Sequence, residues 1–279
     1  MKKIAIIGLG LIGGSLAFSL KKAGHYVTGI ARQEEVLNKA REASAIDAGS
    51  LNLQDISDSD IIFVCTPINL IIPVLEQIAP YLKKGAVVSD VGSSKQEIVA
   101  KAEKLMPKGT YFVGGHPMAG KEQTKFEAAE IDLFKDKTWI ITETSKTSKK
   151  AVEQLEEVIL GTGAKMLKLD PKTHDMVVAG ISHMPLAIAV SLVNAVASSS
   201  DKENMAKCAA SGFRDTTRIV SGDPLLGVDM FTTNKKAVLK MIGAFKKSLS
   251  KLEKIVKNSD SEGMKIELEK AKEFRDSIF

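Results

Sequence analysis

Residues 3–14 read KIAIIGLGLIGG. Lys3 to Ile7 are apolar almost without interruption, the pattern of a parallel strand buried on both faces. Gly8-Leu9-Gly10-Leu11-Ile12-Gly13 then matches G-x-G-x-x-G, and Ser15 to Ala23 has helical spacing with Gly24 placed to stop it. The glycines alone signal little. Between a strand and a helix they read as a dinucleotide-binding turn, with a plain tight turn as the alternative. Gly8 permits the turn, Gly10 admits a pyrophosphate to the backbone, and Gly13 lets helix and strand pack closely. The helix N-terminus offers its unpaired N–H groups to the phosphates. The whole of Gly8 to Gly13, including Leu9, Leu11 and Ile12, is therefore expected to contact the cofactor.

Outward from this turn the chain alternates. Strands are expected at Tyr26 to Ile30, Ile61 to Cys65, Ala86 to Asp90, Tyr111 to Gly115, Trp139 to Thr142 and Lys165 to Leu169. Helical spacing lies between them at Glu34 to Ala43, Leu70 to Leu82, Lys95 to Leu105 and Lys149 to Leu160. This is the pattern of an α/β domain, a Rossmann-type parallel sheet covered on both faces. It stops near Asp170, beyond which only helices are expected. Residues 1–169 are read as the dinucleotide-binding domain and 170–279 as a helical domain for substrate binding and dimerisation. Asp175 to Ala197 is more apolar than a solvent-facing helix, so it is expected to pack on a partner subunit.

The end of the second strand bears on the cofactor. No Asp or Glu sits there to hold ribose hydroxyls. Arg32 and Gln33 follow, and Arg32 can face a 2′-phosphate, so NADP is favoured over NAD; an ordinary exposed arginine is the other reading. Glu34 and Glu35 suit the first turn of the next helix. Cys65, Thr66 and Pro67 end the third strand of that series, where open α/β sheets bind ligands. Thr66 is expected to contribute its hydroxyl, and Cys65 to be a packing residue rather than a nucleophile.

Bulk properties narrow the class. The charge is +5 from 39 basic and 34 acidic residues, scattered rather than clustered, which suits an anionic small ligand and argues against nucleic acid. Two cysteines, Cys65 and Cys208, make no disulfide framework or metal motif, so a reducing, cytoplasmic setting is expected. Lys2-Lys3 and the apolar run behind them imitate a secretory signal, but the glycines and the direct passage into a second strand argue against one. No membrane span is expected, since every other apolar run is broken by charge, Gly or Pro.

Four places could carry chemistry. His116 follows Gly114-Gly115 at a strand end, where an imidazole could take a hydroxyl proton as hydride leaves the same carbon; a structural His capping the strand fits equally. Ser93, in DVGSSK, could orient that imidazole, or Ser93 or Ser94 could N-cap the next helix. His183 precedes Met184-Pro185 in a long apolar helix, where it reads as a core residue or, beside a proline kink, as part of a site. Arg214 and Arg218, in GFRDTTR, suit carboxylate binding unless Asp215 simply pairs with one of them.

Together GLGLIGGSLA, VCTPINLIIPVLEQI, SDVGSSK, GGHPMAG, THDMVVAGISHMP and ASGFRDTTR occur over nearly the whole chain. In this order they resemble the prephenate/arogenate dehydrogenase family of tyrosine biosynthesis. The resemblance implies that His116 engages the ring hydroxyl of a cyclohexadiene substrate and Ser93 supports it. It implies that His183 is a second site histidine and that Arg214 anchors a carboxylate, with Arg218 a weaker carry-over. The implied reaction passes hydride to NADP or NAD, releases carbon dioxide and aromatises the ring. Lys121-Glu122-Gln123-Thr124-Lys125-Phe126 departs from the family's small, glycine-containing stretch, which leaves open whether prephenate or arogenate is the substrate. The compact length and Arg32 look most like cyanobacterial-type arogenate dehydrogenases, and little built-in feedback control is expected where the chain has no room for a regulatory domain.

Two other readings compete. A β-hydroxyacid dehydrogenase would use a lysine on the long helix, and 175–197 contains none. A dinucleotide-sensing protein without catalysis leaves His116, His183 and Arg214 without purpose.

Overall fold

The computed structural model describes residues 1–121, 123 and 125–278. Its centre is an eight-stranded sheet. The strands are β1 (Lys3–Ile7), β2 (Tyr26–Ile30), β3 (Ala48–Ser50), β4 (Ile61–Val64), β5 (Val87–Asp90), β6 (Tyr111–Pro117), β7 (Thr138–Thr142) and β8 (Lys165–Leu169), in the order β3-β2-β1-β4-β5-β6-β7-β8. β1 to β6 are parallel. β7 runs antiparallel to β6, and β8 runs parallel to β7. The fully parallel sheet expected from the alternation is thus corrected at this edge. Among the described residues the β6–β7 connection holds a short 3₁₀ turn at Phe126–Ala128 and no crossover helix, and β7 runs in the opposite sense. β3, which the sequence reading lacks, is Ala-Gly-Ser and only half-buried, with no apolar run to mark it.

Side chains alternate across the sheet into two cores. One joins Ile4, Ile6, Ile61, Phe63 and Trp139 to α1 (Leu11–Lys22), α2 (Glu34–Glu42) and α5 (Lys149–Leu160). The other joins Ala5, Ile7, Ile62, Val64 and Val88 to α3 (Ile68–Ile78) and α4 (Gln96–Leu105). Both faces are therefore covered and the ligand-accessible part is the carboxyl edge.

Beyond β8 the chain is helical. α6 (Pro171–Val178), a π turn (Ala179–His183) and α7 (Met184–Ala197) form one rod of 27 residues. Pro185 has no N–H and its ring collides with the carbonyl four residues back; the wider π turn directly before Met184-Pro185 accommodates that without ending the helix. Because the rod is continuous, it is long and apolar enough to cross a membrane by length and composition, contrary to the expectation that Gly and Pro break every such run. Then follow α8 (Lys202–Cys208), α9 (Ser211–Thr217), α10 (Pro224–Thr233), α11 (Lys235–Lys257) and α12 (Ser261–Asp276). Their own core is small, built on Ala179, Ala237 and Val238 with Phe231, Met241 and Ile242 around it. Ile181, Leu225, Val228, Leu239 and Phe274 remain exposed.

Candidate active site

Gly8 has φ +96°, a conformation that favours glycine, and a Cβ there would lie 2.7 Å from the Cys65 carbonyl oxygen. A Cβ at Gly13 would lie 1.9 Å from the Gly8 carbonyl oxygen. The turn is thus folded onto itself and onto the end of β4, at the point where the strand order reverses, where α/β sheets bind nucleotides. Leu9 and Leu11 are buried in the core, so only their backbone can meet a ligand. Gly10 is the N-cap of α1, so no side chain occupies the first-turn amides. Thr66 presents a buried Oγ1 with no hydrogen-bond partner, and Pro67 is the N-cap of α3. These residues fit a dinucleotide: a cradle that a single methyl group would fill, free helix amides, and an orphaned hydroxyl beside them. Burial, with Asp90 adding to it, pushes the Cys65 thiol far up, which suits packing and not nucleophilic attack.

Arg32 is exposed just past β2, and no carboxylate among the described residues lies within ion-pair reach of it. Gln33 is the N-cap of α2. Glu34 and Glu35 lie in the first turn as expected and pair within the helix, with Arg41 at 2.6 Å and Lys39 at 2.7 Å.

His116 stands two strands further along the same carboxyl edge. The first half of β6 pairs with β5, and Gly114 to Pro117 pair only with β7. Gly114 and Gly115 are needed for close approach, but to the protein's own atoms rather than a ligand. A Cβ would meet Thr142 Oγ1 at 2.4 Å and the Asp90 carbonyl oxygen at 2.8 Å respectively. The Asp90 carboxylate accepts from the amides of Gly92 (2.9 Å) and Gly115 (3.3 Å), so one side chain ties the loop of Ser93 to the residue before His116. Lys95, fully buried, pairs with Asp90.

The imidazole of His116 is buried. Its Nδ1 lies 2.8 Å from His174 Nε2, and His174 Nδ1 lies 2.9 Å from Asp175 Oδ1. Burial, then His174, Lys95 and His183, hold the His116 pKa well below the ordinary imidazole value. Burial likewise lowers His174, opposed by Asp175. His183 is inaccessible and lowered to about 4 by burial, opposed chiefly by Asp175. All three are neutral near pH 7. His183 Nδ1 lies 3.3 Å from Asn234 Nδ2, while its Nε2 and the Ser93 Oγ are buried without partners. Buried polar atoms are ordinarily bonded, so this set marks where a polar ligand makes up the bonds.

The serine capping expectation does not hold. Asp175 caps α4 instead, accepting from the amides of Lys95 (2.6 Å) and Gln96 (3.0 Å), while Ser94 Oγ donates to Thr233 Oγ1 at 2.9 Å. The domains therefore meet at the site, through His174, Asp175, Thr233 and Asn234. Sequence reasoning missed His174, Asp175 and Asn234; the adjacency His174-Asp175 within the long helix was the one available signal. Arg214 is not brought into this cluster: it is exposed on α9, 3.2 Å from Asp215, as the alternative reading had it. Arg218 is also exposed. In the divergent stretch Glu122 and Thr124 lie outside the described residues; Phe126 is buried and stacks on Phe18 with centroids 5.9 Å apart.

The chain matches the prephenate dehydrogenase nucleotide-binding domain model over residues 16–168 and the prephenate dehydrogenase dimerization domain model over 170–270. It belongs to the prephenate dehydrogenase family. Within that family it is 35% identical to the prephenate dehydrogenase of Bacillus subtilis, over 99% of this chain and 76% of that protein. Among solved structures it is similar to Synechocystis arogenate dehydrogenase (36% identity, TM-score 0.88, 99% and 100% of the two chains). It is also similar to prephenate dehydrogenase from Aquifex aeolicus in complex with hydroxyphenyl propionate and NAD⁺ (32%, TM-score 0.94, 100% and 99%). A 3-hydroxyisobutyrate dehydrogenase shares the fold at 17% identity and TM-score 0.52. Family membership sets the β-hydroxyacid and sensing readings aside: the chain is a nicotinamide-dependent oxidoreductase.

Proposed function

We propose that the chain oxidatively decarboxylates arogenate or prephenate, giving tyrosine or 4-hydroxyphenylpyruvate, with NADP as the preferred cofactor. The observation that carries this is a buried His116 on the same sheet edge as the glycine cradle, where burial favours the neutral imidazole. Gly8 to Gly13 and Thr66 would hold the dinucleotide, and Arg32 the 2′-phosphate. A nicotinamide held there would supply the hydride acceptor for the hydroxyl-bearing ring carbon. His116 takes the hydroxyl proton, Ser93 hydrogen-bonds beside it, and His183 supplies a second polar contact. Loss of the ring carboxylate as carbon dioxide leaves an aromatic product, which drives the step. Because His116 is held neutral, it remains a base well into the acidic range, and activity falls only when pH drops below its lowered pKa.

Residues 1–169 serve the cofactor, and 170–279 serve the substrate and a homodimer in the cytoplasm. The exposed apolar side chains of the helical domain and its small core support the dimer. Arg214 and Arg218 are assigned to substrate carboxylates by family pattern, although in one chain they face solvent.

The test is reduced-nicotinamide formation with prephenate or arogenate and NAD or NADP in all four pairings, beside His116→Asn. Turnover highest with NADP, lowered about 10²- to 10⁴-fold in a folded variant, is expected. No turnover in any pairing defeats the reading.

A further inference from the structure

Between the two site histidines stands one residue that the reaction itself does not use. Asp175 reaches each of them through one intermediary, His116 by way of His174 and His183 by way of Asn234. We propose that Asp175, acting through His174 and Asn234, holds His116 and His183 in opposite proton tautomers, His116 as an acceptor and His183 as a donor toward the substrate. His174, Asp175 and Asn234 are positioning residues.

The first branch runs through the carboxylate. Both oxygens of Asp175 accept main-chain N–H groups at the start of α4, from Lys95 at 2.6 Å and Gln96 at 3.0 Å. Facing such an acceptor, His174 Nδ1 must carry its proton. A neutral imidazole has one proton, so His174 Nε2 is bare. His116 Nδ1, 2.8 Å away, must then donate to it. That leaves the lone pair of His116 on Nε2, which makes no hydrogen bond among the described residues.

The second branch runs through the Asp175 main chain. Its carbonyl oxygen can only accept, so the Asn234 atom 2.7 Å from it is the amide nitrogen, which fixes the amide's orientation. The same nitrogen lies 3.3 Å from His183 Nδ1, which must therefore accept. His183 carries its proton on Nε2, the atom buried without a partner. The result is a base and a hydrogen-bond donor of unlike polarity, both specified by one residue. The polarity matches a substrate whose hydroxyl gives up a proton while a second oxygen needs a donor, and to that extent the inference rests on the proposed reaction.

Other charged and titratable groups near the pair are the Lys95–Asp90 ion pair from the β5–α4 side and the histidines themselves. None of them offers a competing acceptor to His116 Nδ1.

The experiment uses the full chain, labelled with ¹⁵N-histidine, and long-range ¹H–¹⁵N correlation at neutral pH. There are four histidines, His25 being the remaining one, and single His→Gln variants assign them. His116 and His174 are expected as Nδ1–H and His183 as Nε2–H. His116 found as Nε2–H, or His183 as Nδ1–H, overturns the proposal. Kinetics supply a second reading. His174→Phe removes the acceptor and is expected to lower kcat about 10²-fold with KM and nucleotide binding nearly unchanged. His174→Gln, whose amide oxygen can accept from Nδ1–H, is expected to recover part of the rate. Full activity in a folded His174→Phe also overturns it. The expected tautomers in a protein with no turnover on either substrate would instead defeat the proposed reaction and leave this inference standing.

Discussion

Acidification should destabilise this fold, and the share contributed by His183 can be worked out from its burial. His183 is inaccessible and its pKa in the folded chain is about 4, against an ordinary value near 6.5 once unfolded. The folded value is the lower, so the unfolded chain binds a proton first as pH falls, and folding stability declines from about pH 6.5 downward. At pH 5 the unfolded chain is almost fully protonated at this site while the folded chain carries about a tenth of a proton. The difference amounts to roughly 1.5 pH units of linked uptake at about 1.4 kcal/mol each, or about 2 kcal/mol. The assay is urea unfolding of the parent and His183→Gln at pH 7 and pH 5, at one fixed protein concentration because association shifts the midpoint. Whatever His183→Gln does to baseline stability, its loss between the two pH values should be about 2 kcal/mol smaller than the parent's. Equal losses would refute the reasoning, since they would mean that His183 is not buried neutral in the folded chain.

Three further outcomes follow from the same geometry. Gly13→Ala places a methyl group 1.9 Å from the Gly8 carbonyl oxygen, so the turn must open; nucleotide binding, followed by fluorescence titration, should be lost and the melting temperature lowered. Arg32→Glu should raise the kcat/KM of NAD relative to NADP by tenfold or more, of the order expected from losing a charge-assisted bond to phosphate; an unchanged ratio in steady-state assays would remove Arg32 from the site. Lys95→Met leaves the Asp90 carboxylate buried without its cation and should cost about 3–5 kcal/mol in denaturant unfolding, more than an ordinary surface lysine by far.

Much of this architecture lies in local pattern. The glycine turn, the apolar runs of β1, β4 and β5, and the amphipathic α5 depend on neighbours in sequence, and they fall where spacing puts them. His116 and Ser93 were legible as candidates because apolar runs end just before them, at the carboxyl edge where α/β sheets bind ligands, although His116 itself is still part of β6. What was not legible arises from contacts between distant segments. The reversal of β7 lies in the pairing of Gly114–Pro117 with Trp139–Thr142, which no local pattern marks. The cap of α4 looked like a task for Ser93 or Ser94, because local serines usually perform it; Asp175, 80 residues away from Lys95, outcompetes them. His174 and Asn234 have no pattern of their own, since their meaning comes from what stands opposite. Arg214 shows the converse: a recognisable motif whose side chain a single copy of the chain leaves in solvent.

The carboxylate of Asp175 has a consequence for engineering. A chimera joined at the seam after β8, taking its nucleotide layer from one relative and its helical layer from another, would keep both hydrophobic interiors intact. It would still have to match one acidic side chain to two amides and an imidazole across the graft. A misfit of an ångström there would fray the first turn of α4 and release the imidazole together. Such hybrids should therefore express as folded proteins that are poor catalysts, and compatibility between donors would be governed by the junction's hydrogen bonds rather than by overall sequence likeness.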